Sequence, residues 1–214
     1  MTFTGFPDRA LVFYEGLEAD NSKAYWNDHR SSYDECVKAP MESLLSGLEA
    51  EFGPTKFFRP YRDVRFSKDK TPYKTAAAAV TETGLYLQLS ADGLLLGGGY
   101  HHTTTDQARR LRAAVADDLT GSALTPVLAG LERGGWQVEG DRLVRLPREY
   151  DADHPRADLL RSRSLFASRS FSAEPWLHTA ACAQRITRHW RDLGPLNGWL
   201  HQHVGPTRPD PTGR

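Results

Sequence analysis

The sequence predicts an α+β fold in which N-terminal helices pack on a mainly antiparallel sheet, with further helices in the second half. Three observations predict it. Apolar residues recur at helical spacing through roughly the first fifty residues, short alternating runs separated by tight turns follow, and helical spacing returns from Asp106. A doubly wound parallel sheet needs strands that alternate regularly with helices, and this chain lacks that alternation.

Three helices are predicted in the first quarter of the chain. Apolar residues at i, i+3, i+4 and i+7 over Ala10–Leu17 indicate the first helix. Asn21 is placed to cap a second helix, in which residues from Trp26 to Val37 share one face. Pro40 opens a third helix, which carries the cleanest helical period and ends at Gly53-Pro54.

Strands are predicted next. The run "KFFRPYRDVRF" (Lys56–Phe66) alternates well enough for a strand, which Pro60 restricts to a sheet edge or a bulge. The segments 75–83, 84–91 and 93–102 are typical of strands joined by tight turns at Thr83-Gly84 and Asp92-Gly93. This part of the chain is therefore predicted to form a meander of antiparallel strands.

The second half mixes both element types. Helices are predicted over 106–119, 124–131 and 180–193, and a strand over 161–172. The stretch around Gly140-Asp141 is predicted to be a hairpin, and Pro155 suits a first helical turn. Residues 1–205 are predicted to form a single domain, and residues 206–214 a flexible tail.

Bulk properties exclude several classes of protein. The 214 residues include only two cysteines, Cys36 and Cys182, which are far apart, so neither a disulfide framework nor a cysteine-based zinc site is expected. Apolar runs fall short of the ~18 residues of a membrane span, and the N-terminus lacks the pattern of a signal peptide. We predict a cytoplasmic protein with no membrane association, no cofactor and no bound metal.

Charge is distributed unevenly although the formal net charge is zero. Residues 1–53 carry ten acidic and four basic residues, whereas residues 56–74 carry seven basic and two acidic ones. A local excess of positive charge attracts anionic partners. Nucleic-acid-binding domains are usually basic overall, so a nucleic-acid partner is not expected to be the main one.

The segment "RDVRFSKDKTPYKT" (Arg62–Thr75) resembles the signature of domain-of-unknown-function family 2461. The resemblance extends over nearly the whole chain through "EADNSKAYWNDHRSSYDE", "LLLGGGY" and "LPREYDADHPRADLLR". The chain departs from the family pattern at His101-His102, where a proline is common, and at Glu149, where glycine is usual. The resemblance implies no activity, since the family has no established general function.

The basic segment has two competing interpretations. Arginine forks match carboxylate or phosphate oxygens, and lysines add compact charge, so the segment suits a small phosphorylated or carboxylated ligand. The predicted ligand-binding residues are Arg59, Arg62, Arg65, Lys70, Tyr73, Lys74 and, from the glycine-rich strand, Tyr100. Asp63 is predicted to orient Arg65 or Arg59. The alternative is that the cations form an internal salt-bridge network with the acidic N-terminal helices.

Catalysis and the remaining alternatives stay open at this level. His154, which lies among carboxylates, is the best candidate for proton transfer, with Asp63 as a second catalytic candidate. Adjacent histidines on a strand point to opposite sides, so His101 and His102 are not expected to share a metal ion. Aromatic residues interleaved with arginines between Phe57 and Phe66 leave single-stranded nucleic acid as an alternative ligand. The oligomeric state is not predicted.

Overall fold

The computed structural model describes residues 2–65 and 68–206. In this part of the chain the helices are α1 (Asp8–Ala19), α2 (Lys23–Asp28), α3 (Arg30–Tyr33), α4 (Ala39–Phe52), α5 (Thr105–Ala116), α6 (Asp118–Arg133) and α7 (Ala181–His203). A π-helical turn (Asp34–Lys38) joins α3 to α4, and short 3-10 turns lie at Leu159–Arg161 and Pro175–His178. No helix in the described residues is both long and apolar enough to cross a membrane.

The strands form one six-stranded antiparallel sheet, which confirms the α+β prediction. They are β1 (Thr55–Phe57), β2 (Ala76–Thr81), β3 (Leu85–Ser90), β4 (Gly93–Tyr100), β5 (Gln137–Glu139) and β6 (Leu165–Phe171). Their order in the sheet is β1-β2-β3-β4-β6-β5. The predicted meander corresponds to β2, β3 and β4, and Gly93 supplies the positive φ of +114° that follows the turn at Asp92.

The predicted strand over residues 56–66 is wrong in its length. The ladder with β2 covers only Thr55–Phe57, and the backbone N–H of Phe58 adds one further bond to the carbonyl of Ala78. Pro60 has no backbone N–H to donate, and beyond it the chain makes a single isolated bridge between Tyr61 and Tyr73. Phe66, the predicted end of that strand, lies outside the described residues.

Two predictions in the second half are also wrong. Residues after Gly140 do not fold back on β5. Instead β5 pairs with β6, as the antiparallel register of Val138 with Ala167 shows. The stretch around Pro155 forms successive turns rather than a helix start. The turn propensity of Gly140-Asp141 did not produce a hairpin, because β5 pairs along its whole length with β6, which is distant in sequence.

The helix termini differ from the predictions in an informative way. Ser22, and not Asn21, caps α2, because the Ser22 hydroxyl accepts a hydrogen bond from the backbone N–H of Tyr25. The predicted second helix is divided at His29 into α2 and α3, and α7 runs ten residues beyond the predicted end at Leu193. The side chain of Asn21 is thereby left available for a different contact, described below.

Contacts divide the described chain into two compact units. Unit 1 comprises residues 2–96 and 170–190, and unit 2 comprises residues 97–169 and 191–206. The prediction of a single domain over residues 1–205 stays a prediction, and the predicted tail lies, from residue 207 onward, outside the described residues.

Each unit contains buried apolar side chains and a buried tryptophan whose indole is hydrogen-bonded. In unit 1, Trp190 Nε1 donates to the carbonyl of Tyr86 at 3.2 Å, and in unit 2, Trp199 Nε1 donates to the carbonyl of Thr120 at 2.9 Å. Fully buried residues of unit 1 include Phe6, Leu17, Met41, Leu87 and Leu89, and those of unit 2 include Leu111, Leu124, Leu193 and Leu196. Burial of such side chains is the main favourable contribution to folding.

Candidate anion-binding site

The described residues of the basic segment form an irregular hairpin in unit 1, which we call the basic hairpin (residues 59–65 and 68–74). Its arms are joined by two backbone hydrogen bonds, from Arg62 N–H to the carbonyl of Pro72 at 2.9 Å and from Lys74 N–H to that of Pro60 at 2.8 Å. The bridge between Tyr61 and Tyr73 lies between them. The hairpin brings residues 60–62 and 72–74 side by side, although nine residues lie between Arg62 and Pro72 in sequence.

An aromatic layer supports the basic hairpin. The rings of Trp26 and Tyr73 are stacked, with centroids 4.4 Å apart and an interplanar angle of 8°. Tyr61 packs at the edge of this stack, 5.9 Å from Trp26 and 5.5 Å from Tyr73, and Tyr33 lies 4.8 Å from Trp26. Burial raises the pKa of Tyr33 to about 12, with additional contributions from Asp34 and Glu42. Its hydroxyl group is therefore uncharged at neutral pH.

Asn21 clamps the second arm of the hairpin to the helical layer. Its Nδ2 donates to the carbonyl of Tyr73 at 3.0 Å, and its Oδ1 accepts from the N–H of Tyr73 at 3.1 Å. Both backbone polar groups of one residue are thus satisfied by a single amide side chain. Sequence reasoning missed this role because the partner is 52 residues away and because Asn21 also fitted a local helix cap.

Two of the predicted ligand-binding arginines are held by carboxylates of the same segment. Asp63 accepts two hydrogen bonds from Arg65, from Nε at 3.0 Å and from Nη2 at 2.7 Å, as predicted for the pair. The pKa of the Asp63 carboxyl is lowered, mainly by this side-chain hydrogen bond. Because the side chains of both residues are substantially exposed, the pair contributes little to global stability.

The second pair closes the loop of the hairpin. Arg62 donates to the carboxylate of Asp69 and to the hydroxyl of Thr71, and Asp69 Oδ1 accepts from the backbone N–H of Thr71 at 2.9 Å. Lys70 Nζ donates to the carbonyl of Val64 at 2.9 Å. The loop therefore has its own hydrogen-bond network, in which Arg62 and Lys70 serve as internal donors.

The Asp69 network predicts a pH-dependent opening of this loop. The pKa of Asp69 is lowered from 3.8 to about 2, first by the backbone hydrogen bond from Thr71 and then by the side chains of Arg62 and Thr71. A depressed carboxyl pKa contributes stability above the unfolded value, and this stability is lost as the pH falls from about 4 through about 2. We expect the Thr71 amide resonance in an NMR titration to report a midpoint near 2.

Matched variants test this assignment. Asp69→Asn is expected to abolish the transition of the Thr71 amide, whereas Asp63→Asn is expected to leave it in place. A midpoint at the ordinary carboxyl pKa of about 3.9, or an unchanged transition in Asp69→Asn, would show that Asp69 does not hold the loop.

Arg59 and Lys74 differ from Arg62 and Arg65, which are paired with carboxylates of the hairpin. Within residues 2–65 and 68–206, neither side chain has a carboxylate within ion-pair distance. The ammonium group of Lys74 lies over the ring of Phe58, 5.2 Å from its centroid. Its pKa is lowered, first by burial and then by the positive charge of Arg59. Two cations thus lie close enough to repel each other.

Tyr100 and His154 belong to unit 2, whereas the basic hairpin belongs to unit 1. Burial raises the pKa of Tyr100, which keeps its hydroxyl group uncharged at neutral pH. His154 Nδ1 accepts from the N–H of Arg156 at 3.0 Å, and its Nε2 lies 3.2 Å from the carbonyl of Ala116. This pattern assigns the hydrogen to Nε2. The prediction that His154 transfers a proton stays a prediction.

Arg156 is a structural residue that the sequence analysis did not single out. Its guanidinium donates to the carbonyls of Val115, Ala116 and Asp117, at the C-terminal end of α5, and pairs with Asp118. A cation at this position satisfies carbonyls that lack intrahelical partners and complements the helix dipole. The only sequence signal was a basic residue two positions after His154.

The chain matches the model of a family of conserved hypothetical proteins, DUF2461, over residues 9–199. It belongs to the DUF2461 family. The matched range contains every predicted site residue of this DUF2461 protein, and the family description states no activity. No curated protein and no solved structure matches the chain.

Proposed function

We propose that this protein binds a small anionic ligand, phosphorylated or carboxylated, at the basic hairpin. One observation carries the proposal: the positive charge of Arg59 lies close enough to Lys74 to lower the pKa of its ammonium group, although burial is the larger cause. A like charge nearby disfavours the charged form of a group, and the Asp63 carboxylate, whose pKa Arg59 also lowers, already accepts two hydrogen bonds from Arg65. A bound anion would remove the repulsion and accept hydrogen bonds from both side chains.

The internal ion pairs support a division of roles within the hairpin. Once Arg62 is paired with Asp69 and Arg65 with Asp63, the segment keeps five further cations, at positions 56, 59, 68, 70 and 74. In this proposal Arg62, Arg65 and Lys70 shape the loop, whereas Arg59 and Lys74 contact the ligand. Tyr73 positions Lys74, because Asn21 holds the backbone of Tyr73 from both sides.

A two-site variant tests the proposal. Arg59→Gln/Lys74→Gln should reduce the affinity for pyrophosphate, measured by calorimetry with inorganic phosphate and citrate as further probes, by about tenfold or more for each lost contact. The matched control is Arg9→Gln/Lys23→Gln, which removes the same charge from exposed positions outside the hairpin. Citrate binding without pyrophosphate binding would indicate a carboxylated ligand.

The controls also define the result that would contradict the proposal. Equal weakening by both double variants would mean that net charge, not a site, attracts the anion. Absence of binding by the unmodified protein to all three probes would also contradict it. Thermal unfolding of each variant checks that a loss of affinity is not a loss of fold.

A second candidate ligand, single-stranded nucleic acid, is favoured by one specific observation. The Tyr61 side chain is 43% exposed although it packs against Trp26 and Tyr73, and it lies between Arg59 and Arg62 in sequence. Exposed aromatic rings beside cations provide stacking surfaces for bases. For such binding, the logarithm of the association constant would fall steeply and linearly with the logarithm of the salt concentration. Tyr61→Ala would weaken the binding of single-stranded nucleic acid and leave the affinity for pyrophosphate unchanged.

A further inference from the structure

A cleft in unit 2 contains a pair of histidines outside the basic hairpin. The cleft has a volume of about 720 Å³, and its lining residues are His101, His102, Val138, Glu139, Gly140, Asp141, Arg142 and Phe166. Both histidines are exposed. On a regular strand, adjacent histidines would point to opposite sides and their rings would lie apart.

The structure brings the two rings together. β4 ends at Tyr100, so the histidines lie in a bend, where the side-to-side alternation of a strand no longer applies. Nδ1 of His101 and Nε2 of His102 are 3.1 Å apart. The ring planes are nearly perpendicular, at 77°, with centroids 4.4 Å apart. The two facing nitrogens are therefore held within hydrogen-bond distance of each other.

The bend that carries the pair is fixed on both sides. Before it, Gly99 has a φ of +115° and lies so close to β6 that an added Cβ would be 2.6 Å from the carbonyl oxygen of Leu165. After it, Thr103 Oγ1 donates to the carbonyl of Arg163, and Thr104 begins α5 with a capping box. Phe166 packs against the His101 ring at 4.4 Å. Fixed ligands bind metal ions more tightly than mobile ones.

We propose that His101 and His102 form a two-nitrogen binding site for a late first-row transition metal ion, with Cu²⁺ and Ni²⁺ preferred. Metal–nitrogen bonds of about 2.05 Å would span the observed separation with an angle of about 98° at the metal. This lies between the 90° of square-planar or octahedral coordination and the tetrahedral angle. Two cis positions are thus supplied without movement of the backbone.

The surroundings suit a cation with open coordination positions. Two charged residues that line the cleft are neutralised by ion pairs, Arg142 with Asp158 and Asp141 with Arg163. Glu139, which also lines the cleft, adds one negative charge. No group of three or more His, Cys, Asp or Glu side chains in the described residues is arranged to hold a metal. The other positions of the ion therefore face the cleft, where water or an oxygen or nitrogen ligand completes the coordination.

The protonation balance is simple. In the metal-free pair one imidazole donates its hydrogen to the other. Binding requires both facing nitrogens to be unprotonated, so the donor ring carries its hydrogen on its other nitrogen instead, and neutral rings release no net proton. With only two protein ligands the site imposes no strict geometry, and affinity follows the intrinsic order in which Cu²⁺ exceeds Ni²⁺ and Zn²⁺.

Calorimetry on the full, tag-free chain tests the proposal, with CuCl₂ or NiCl₂ titrated at a pH above the ordinary imidazole pKa of about 6.5. We expect one equivalent to bind. His101→Ala and His102→Ala should each lower the affinity about tenfold or more, because the second imidazole acts at a high effective concentration. His201→Ala removes one exposed histidine elsewhere and is the matched control.

Two results would overturn the proposal. If only one of His101→Ala and His102→Ala weakens binding, the ion is held by a single surface imidazole. If His201→Ala lowers the metal affinity as much as His101→Ala and His102→Ala do, metal binding is nonspecific. As a second readout, the EPR spectrum of the Cu²⁺ complex should show coupling to two imidazole nitrogens, and to one in either variant. The affinity for pyrophosphate should be unchanged in His101→Ala and in His102→Ala, which distinguishes the metal site from the basic hairpin.

Discussion

Trp26→Ala is expected to lower the free energy of unfolding by about 3–5 kcal/mol, the usual cost of replacing a buried tryptophan by alanine. Trp26 is only 3% exposed and packs against Phe13, Tyr33, Tyr61 and Tyr73. Its removal would leave a large cavity under the basic hairpin. Urea denaturation followed by circular dichroism measures the loss.

Trp26→Phe is the matched control. In the described residues Trp26 Nε1 is buried without a hydrogen-bond partner, so phenylalanine keeps an aromatic face for Tyr73 and removes a donor whose burial is unfavourable. We expect this variant to lose much less stability than Trp26→Ala. It should also retain pyrophosphate binding, because the support of the hairpin is preserved. Similar losses in both variants would contradict the stacking argument.

Gly99→Ala is expected to lower the free energy of unfolding by about 2–4 kcal/mol, from the strain of a non-glycine residue at positive φ together with overpacking. Its φ is +115°, and the new Cβ would be 2.6 Å from the carbonyl oxygen of Leu165 and 2.7 Å from Phe166 Cα. These neighbours are backbone atoms, which cannot move aside as the end of a flexible side chain can.

Gly47→Ala provides the opposite expectation. Gly47 lies within α4, and an added Cβ there meets no atom within 4 Å. Alanine is favoured over glycine in helices, so this variant should gain about 0.5–1 kcal/mol. Thermal and chemical denaturation of both variants give the comparison. A neutral Gly99→Ala would show that β4 and β6 tolerate a wider separation at this point.

Helices and central strands were predictable because their signals are local. The helical period of α1 and α4, and the alternation and turns of β2, β3 and β4, depend on residues next to one another in sequence. The prediction over Lys56–Phe66 was wrong because alternation describes only one strand, whereas a strand also needs a partner. Pro60 and the distant Tyr73 decided how far pairing extends.

The residues of the candidate site were predictable from composition, whereas most of their contacts were not. The basic residues and the Asp63–Arg65 pair were identified from the sequence, and Asp63 holds Arg65 by two bonds. That Arg62 binds a ligand stays a prediction, and the structure adds that Arg62 donates to Asp69 and Thr71. The loop conformation decides which cationic side chains are paired with a carboxylate. The spacing of charges in the sequence does not specify that conformation.

The fold class, the family and the concentration of positive charge in residues 56–74 were all predictable from the amino-acid sequence, because they follow from local period, motif and composition. Only the tertiary structure decided that Asn21 holds Tyr73, that Trp26 stacks beneath the hairpin, and that the facing nitrogens of His101 and His102 lie 3.1 Å apart. The physical reason is that these contacts join residues across chain reversals, where hydrogen-bond satisfaction and ring packing override local preference.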